Sequence, residues 1–447
     1  VAHFLLGKKF IHRTLSRWES FSRKHKIEDV IVSTAIWFTN DLRVFDNRAF
    51  SMAMEQGIPV LAFFLRPQQR SKEYVQFQNE SLCDLAQNLE ALRVPFFIFE
   101  SSEIHELTNF VSQGNICSIF SAKAFNSRKK TLQIQLEQQL NGVSFHYGCS
   151  ETLLDQDLMG FKSEEIDDTF SIFRKKVESR WVVPPLLATP KPQKETPSAL
   201  SNFSHFLFHN KFTTNKHSPF LGGRAEGLRR LHYYLSETQK ILTYKETRNG
   251  MTCFDDSSKF SPWLAHGCLS AREIYWAIKE FEQHVRANES TYWLVFELLW
   301  RDYFKFLAEK YQDKFFSLSG LRSNKLPSSS GSADDFENWK KGTTENDFIN
   351  ANMIELAQTG WMSNRGRQNV ANYLVKTLGV EWVKGADYFE KMLIDYDCES
   401  NWGNWLYQSG RGTDPRDRIF DPDVQARNYD ADYSYRDKWL KKVGGYE

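Results

Sequence analysis

The chain has 447 residues, enough for two or three domains that each bury a core. Fifty-seven Lys and Arg stand against 56 Asp and Glu, a net charge of +1, so a nucleic-acid partner has to be met by a local basic patch. The six cysteines contain no Cys-x-x-Cys pair and suit free thiols, and no apolar run reaches the roughly 18 residues that cross a bilayer, so a metal ribbon and a helical membrane span are both excluded.

Residues 1–29 form an N-terminal extension. Its first 27 residues are rich in Lys, Arg, His and Ser, with Glu19 the only acid, a composition shared by solvated amphipathic arms and transit peptides. The first reading implies a cytoplasmic protein, the second import into an organelle.

From 30 to 150, short apolar runs alternate with helical patterns. The runs are VIVSTAIWF (30–38), PVLAFFL (59–65), PFFIFE (95–100), CSIFS (117–121) and VSFHY (143–147), and the amphipathic segments are 47–56, 76–92, 103–113 and 127–140. This alternation predicts an α/β domain with a doubly wound parallel sheet. Such sheets bind ligands at the carboxyl ends of their strands, where TNDLRVFDN follows the first run. No Gly-x-Gly-x-x-Gly is present, so a Rossmann dinucleotide site is not expected.

Residues 151–218 are poorly periodic, and VVPPLLATPKPQKETPSA at their centre carries too much proline for a helix or a central strand; they read as an interdomain connector. From 219 to 447 the pattern is helical throughout, which predicts an all-α second domain.

Ten of the 13 tryptophans fall after residue 262. Buried Trp needs a partner for its N–H, so this density fits either a heavy aromatic core or a large planar ligand. In ELLWRDYF, Glu297, Trp300 and Arg301 stand at i, i+3 and i+4 on one helix face. A helical salt bridge from Glu297 to Arg301 accounts for two of the three, whereas a carboxylate beside a stacking ring suits a ligand with a π-face and a polar edge, such as a nucleobase. Ser257, Ser258 and Ser261 precede a helical run, as an N-cap or as part of an anion site. Asn364 and Arg367 share a face, with Arg365 pointing elsewhere, and Arg367 is placed to pair with an acid of DYDCESNWGNWLYQSG (395–410).

These segments, with SSKFSPWLAHGCLS, STYWLVFELLWRDYFKF, ANMIELAQTGWMSNRGRQNVANYL and WFTNDLRVFDN, resemble the photolyase/cryptochrome family over roughly residues 33–440, and within it the DASH cryptochromes. The resemblance implies FAD in the helical domain. Tyr244, Ser257, Ser258 and Ser261 match positions on the phosphate side, and Arg301, Asn364, Arg367, Asp395 and Asp397 those around the flavin and adenosine moieties. Asn401 matches the residue beside flavin N5, where an amide offers both a donor and an acceptor. Arg248, Glu297, Trp300, Met362 and Arg365 match positions that meet a flipped pyrimidine dimer and its backbone, with Tyr407 where classical photolyases carry a second Trp. Trp405 and Trp382 match the first two members of the family's tryptophan chain. The third would fall near 327–330, where this sequence has PSSS, so electron exit through Trp339, Trp361 or a nearby Tyr is the alternative. The methenyltetrahydrofolate antenna is left open, because SAKAFNSRKKTLQ (121–133) carries no acid where folate-binding members usually offer a Glu.

The function implied is blue-light-driven repair of cyclobutane pyrimidine dimers by electron transfer from reduced FAD. The preferred substrate is single-stranded or unpaired DNA, because stacking gains of about 1–3 kcal/mol per base nearly cancel the cost of extrusion from a duplex when one stacking ring is smaller. Glu297 hydrogen-bonds the dimer carbonyl in this reading. The alternative from another class is a light-sensing, nucleic-acid-binding flavoprotein with little repair; signalling cryptochromes commonly extend beyond the FAD domain, and the sequence stops at SYRDKWLKKVGGYE. A monomer is expected, with no metal.

Overall fold

The computed structural model describes residues 32–180, 182–195, 203–204, 206–208, 219–322, 329–414, 416 and 418–441. The N-terminal extension, and Pro327 and Ser328 of the departure noted above, lie outside them.

Five parallel strands, Ser33–Phe38 (β1), Val60–Arg66 (β2), Phe96–Glu100 (β3), Ile116–Ala122 (β4) and Ser144–Gly148 (β5), pair in the order β3-β2-β1-β4-β5. Each begins within three residues of its predicted run. β1 is buried along its whole length, as a strand covered on both faces must be, and this is why its sequence reads as one apolar run rather than an alternation. The helices Arg48–Met54 (α1), Lys72–Ala91 (α2), Ile104–Gln113 (α3) and Ser127–Gln139 (α4) fill the crossovers. Three of them start at a side-chain cap: Asn47, Ser71 and Asn126 accept the backbone N–H of Phe50, Tyr74 and Lys129. Phe50 of α1 and Phe77 of α2 join the large core, which continues into the helical domain, while Phe110 of α3 and Leu136 of α4 join a second cluster on the opposite face.

The connector holds more structure than its prolines suggested. Gln156–Met159 (α5) and Phe170–Glu178 (α6) are helical, and α6 buries Phe170, Phe173 and Val177 on one side. Beyond the proline stretch the chain returns to the sheet edge, where Ile98 N–H donates to Phe206 O and Phe208 N–H to Phe96 O. This covers the exposed side of β3.

The second domain is helical as predicted. Its elements are Arg224–His232 (α7), Tyr244–Thr247 (α8), Ser261–Ala265 (α9), Ala271–His284 (α10), Glu289–Tyr311 (α11), Ala333–Lys341 (α12), Asp347–Thr359 (α13), Asn364–Asn372 (α14), Trp382–Met392 (α15), Cys398–Gln408 (α16), Pro422–Tyr429 (α17) and Ser434–Leu440 (α18). The 23-residue α11 runs through the centre, touching α6, α8, α10 and α16.

The TNDLRVFDN loop at the carboxyl end of β1 serves as a clasp between the domains. Buried Arg43 donates to Gly267 O (2.8 Å), Ser150 O (2.8 Å) and Asp46 O (2.9 Å), Asn40 Nδ2 donates to Ala265 O, and Arg272 of α10 pairs with Asp46 at 2.9 Å. Gly267 has φ +71° and lies so close that a Cβ there would sit 2.0 Å from Asn40 O, so only glycine admits this approach. The end of the sheet that commonly holds a ligand is here occupied by the second domain.

Candidate active site

A cavity of about 500 Å³ opens in the helical domain between α8, α9, α11, α14 and α16. Every predicted site residue except Trp382 lines it: Tyr244, Arg248, Ser257, Ser258, Ser261, Glu297, Trp300, Arg301, Met362, Asn364, Arg365, Arg367, Asp395, Asp397, Asn401, Trp405 and Tyr407.

On α11 the i, i+3, i+4 spacing puts Glu297, Trp300 and Arg301 on the cavity face, but Glu297 and Arg301 do not pair with each other. Glu297 forms its salt bridge with Arg248, at the end of α8. Arg301 reaches Asp397 at 3.2 Å and donates to Glu151 O, while its buried Nε has no hydrogen-bond partner. Burial raises the pKa of Glu297, and the nearby Arg248 guanidinium opposes that rise.

On α14, the expected pairing of Arg367 with an acid of the 395–410 stretch is present. One terminal nitrogen donates to both oxygens of Asp395, at 2.9 and 2.7 Å, and the Asp395 side chain is 1% exposed. Arg365 turns away to Asn249 and Gln368 and lies over the Tyr429 ring.

Asp397 caps α16 by accepting Ser400 N–H at 2.9 Å. It also joins a buried cluster around Lys305, whose Nζ lies 2.8 Å from Glu151, 3.0 Å from Glu399 and 3.3 Å from Asp397. Burial alone would raise the Asp397 carboxyl, but Lys305 and Arg301 hold it well below the usual range. Asn126 Nδ2 donates to Glu399, so this cluster ties the cavity to the α/β domain.

One turn further along α16, Asn401 gives one amide hydrogen to Ala386 O at 3.1 Å, which leaves its carbonyl and second hydrogen for the cavity. Trp405 is buried against Phe389 and Trp339, with ring centroids at 5.2 and 6.2 Å. Trp382 packs on Trp402 at 5.5 Å, and its Nε1–H donates to Leu318 O. Trp402 is buried between Phe316, Trp382 and the Arg128 guanidinium.

Tyr407 meets Trp300 edge to face at 6.0 Å, and Phe170 of the connector stacks on Trp300 with centroids 3.6 Å apart. One face of the Trp300 ring is therefore already used. The serines are not an N-cap: α9 is capped by no side chain and begins at Ser261. Their loop is held from behind by Arg230, which donates to Ser257 O, Ser258 O and Asp255.

Two residues on this side escaped the sequence reading. Arg230 gave no signal beyond belonging to a basic helix. Lys259 did, as a lone cation inside SSKFSPW. It is 5% exposed, lies 4.0 Å over the Trp361 ring, lines the cavity, and makes no salt bridge among the described residues. Burial lowers its pKa to about 8.

The donor set suits an elongated anionic ligand with a planar polar ring. The cavity lining holds a buried ammonium with no salt bridge among the described residues, serine hydroxyls, an arginine–carboxylate pair and an amide. Arg301 belongs to the same lining, and its Nε is a buried donor without an acceptor.

Comparison with known proteins shows the family. The model for the FAD binding domain of DNA photolyase matches residues 293–446, and the DNA photolyase model matches residues 34–195. Cryptochrome DASH of Danio rerio is 38% identical over 429 residues, covering 91% of this chain and 82% of that one. Cryptochrome DASH of Gloeobacter violaceus is 37% identical, covering 92% and 86%. The crystal structure of the Synechocystis sp. PCC6803 cryptochrome superposes with a TM-score of 0.86 at 35% identity, over 94% of this chain and 90% of that one.

Proposed function

Because the chain belongs to the photolyase/cryptochrome family, as a relative of its DASH cryptochromes, and carries that family's FAD-binding domain, we propose that it is a light-driven photolyase for cyclobutane pyrimidine dimers, acting by preference on single-stranded or unpaired DNA. The observation that carries the reading is one continuous cavity. Its lining brings the Arg367–Asp395 pair and Asn401 together with Glu297, Trp300, Arg248 and Tyr407.

FAD, when bound, supplies a light-excited one-electron donor. Tyr244, Ser257, Ser258, Ser261 and Lys259 would hold its diphosphate side, and Arg301, Asn364, Arg367, Asp395 and Asp397 its ring systems. Arg367 and Asp395 fix a balanced pair of charges at the cavity wall, so neither stands unpaired in a dry site. Asn401 adds hydrogen-bonding capacity without charge, so it does not repel a negative ring beside it. Glu297, with its raised pKa, holds a proton at Oε more readily than an exposed Glu and can donate it in a hydrogen bond to a carbonyl of the lesion. Trp300 offers its free face for stacking, and Arg248 and Arg365 bring positive charge for the DNA backbone. Trp405, buried one turn from Asn401 on α16, would pass an electron inward in this reading.

The test is illumination of the purified, reduced protein with thymine-dimer oligonucleotides, single-stranded and duplex, following the return of thymine absorbance. Repair of the single strand at the faster rate is expected. No repair of either strand form refutes the photolyase reading, and equal rates refute the preference. A light-sensing DNA binder with little repair is the second reading; the observation in its favour is the Phe170 stack, which halves the Trp300 platform.

A further inference from the structure

Behind Trp300 and Tyr407 lies a second pocket of about 380 Å³. It sits between the start of α6, the middle of α11 and the loop after α16, and it shares Trp300, Phe304 and Tyr407 with the main cavity. Phe170, Leu307 and Leu321 supply apolar wall, and Asp168, Thr169, Ser171, Thr413 and Arg416 supply polar wall. Tyr303 ties the two sides together, donating to Asp168 O and approaching Thr413 Oγ1 at 3.2 Å.

One polar group in this lining is unusual. Asp414 is 8% exposed; its Oδ1 accepts from Arg416 N (3.0 Å) and Nε (3.3 Å), whereas its Oδ2 is buried and has no hydrogen-bond partner. The Tyr407 hydroxyl and Arg416 outweigh burial and lower the Asp414 pKa, so the group is an acceptor-only carboxylate at neutral pH. A buried carboxylate oxygen without a donor is costly, and such atoms mark places where a ligand completes the bonding.

We propose that this pocket is a second base site, which receives an unpaired base next to the lesion and selects those bearing an exocyclic amino group. The two cavities share the aromatic side chains of Trp300, Phe304 and Tyr407, so bases on either side of them can belong to neighbouring nucleotides of one strand. Aromatic walls give the stacking surface, and Asp414 Oδ2 gives the edge contact. Adenine, cytosine and guanine each present an amino group to an acceptor. The only ring donor of thymine, N3–H, lies between two carbonyl oxygens that a carboxylate repels, so thymine is the base disfavoured. The inference rests on the reading that a lesion enters the main cavity, and it adds a sequence context to that reading.

The test is equilibrium binding in the dark, by fluorescence anisotropy, of the FAD-loaded protein to short single strands that carry one thymine dimer. Each strand has adenine, cytosine, guanine or thymine beside the dimer on its 5′ or 3′ side. On one side, amino-bearing bases should bind about tenfold tighter than thymine, the factor that one hydrogen bond to a charged group is worth. Replacing adenine by purine, which lacks only the amino group, should cost a similar factor on that side. Asp414→Asn, whose amide both donates and accepts, should bring the four bases within about twofold of one another. The purine comparison needs no variant and decides the matter if Asp414→Asn fails to fold. Dimer-dependent binding with no flank preference, or a preference unchanged in Asp414→Asn, overturns the second site alone. Flank preference without dimer dependence supports the pocket and overturns the lesion reading of the main cavity, and absence of both overturns the two together.

Discussion

Lys305→Met removes one charge from the centre of the buried cluster that links Asp397 to the α/β domain. Lys305, Lys129 and Arg301 face Glu151, Asp397 and Glu399, three cations against three carboxylates, and Lys305 itself is fully buried. Without it, two cations face three carboxylates. At an effective dielectric constant of about 20, each contact near 3 Å is worth roughly 5 kcal/mol of Coulomb energy, much of it cancelled by desolvation. Leaving one buried carboxylate uncompensated should therefore cost about 3–5 kcal/mol. Burial raises the Glu399 pKa and Asp397 likewise, but Lys129, Lys305 and Arg301 outweigh it and hold both low. Groups with depressed pKa stabilise the fold above their ordinary values, 3.8 for Asp397 and 4.5 for Glu399, and lose that contribution as pH falls through the folded values. The variant lacks the Lys305 share, so its deficit should be full at pH 7 and shrink on acidification. Urea unfolding followed by tryptophan fluorescence at pH 7 and at a pH below both ordinary values, about 3.5, measures this. Glu399→Gln added to Lys305→Met restores the charge balance and should recover part of the loss. A single-variant cost under about 1 kcal/mol, or a further loss in the double variant, would show that the cluster is not held by charge compensation.

Other outcomes follow from single contacts. Gly385→Ala puts a Cβ 2.2 Å from Trp405 Cη2 and 2.7 Å from Leu374 Cδ2; displacement of Trp405 should cost about 1–3 kcal/mol and alter flavin quenching of tryptophan fluorescence. An unchanged melting temperature and spectrum would contradict it. Lys259, with a pKa of about 8 against an ordinary 10.5, should hold a diphosphate best below pH 8, so FAD retention should weaken as pH rises through 8. Stability of the flavin-free protein should move oppositely, rising between those values, because only the unfolded chain still binds the proton there. Lys259→Met should lack the pH slope in a flavin-release titration. Glu297→Gln keeps a hydrogen-bond donor and should retain more repair than Glu297→Ala, whose rate should fall by about tenfold or more for a lost donor to developing charge. Equal rates for both variants and the parent would remove Glu297 from the chemistry.

Much of this architecture can be read from the residues. Buried parallel strands are short apolar runs between Gly, Pro and polar turns, so each of the five strands was visible, as were the helical segments between them. Helical spacing likewise placed Glu297, Trp300 and Arg301 on one face. It could not name their partners, because Arg248 lies 49 positions from Glu297 in the chain, and Asp397 comes from another element altogether. Only folding brings those charges together, and their competition decided against the local Glu297–Arg301 pair. The connector was misjudged because proline dominated its middle, although Phe170, Phe173 and Val177 already carried helical spacing in FSIFRKKVE. Asp414 gave no sequence signal, since its interest lies in what fails to contact Oδ2.

The clasp at Arg43 and Gly267 has a mechanical consequence. With the guanidinium buried across both domains and no room for even a methyl group at Gly267, the halves cannot hinge apart without breaking several hydrogen bonds at once. For the proposed substrate, this clasp would leave most of the change of shape at encounter to the nucleic acid. A strand already free to splay its bases deforms cheaply, whereas a duplex must first be unstacked. Under the function proposed above, stiffness between the two domains would add to the preference for a strand already unpaired.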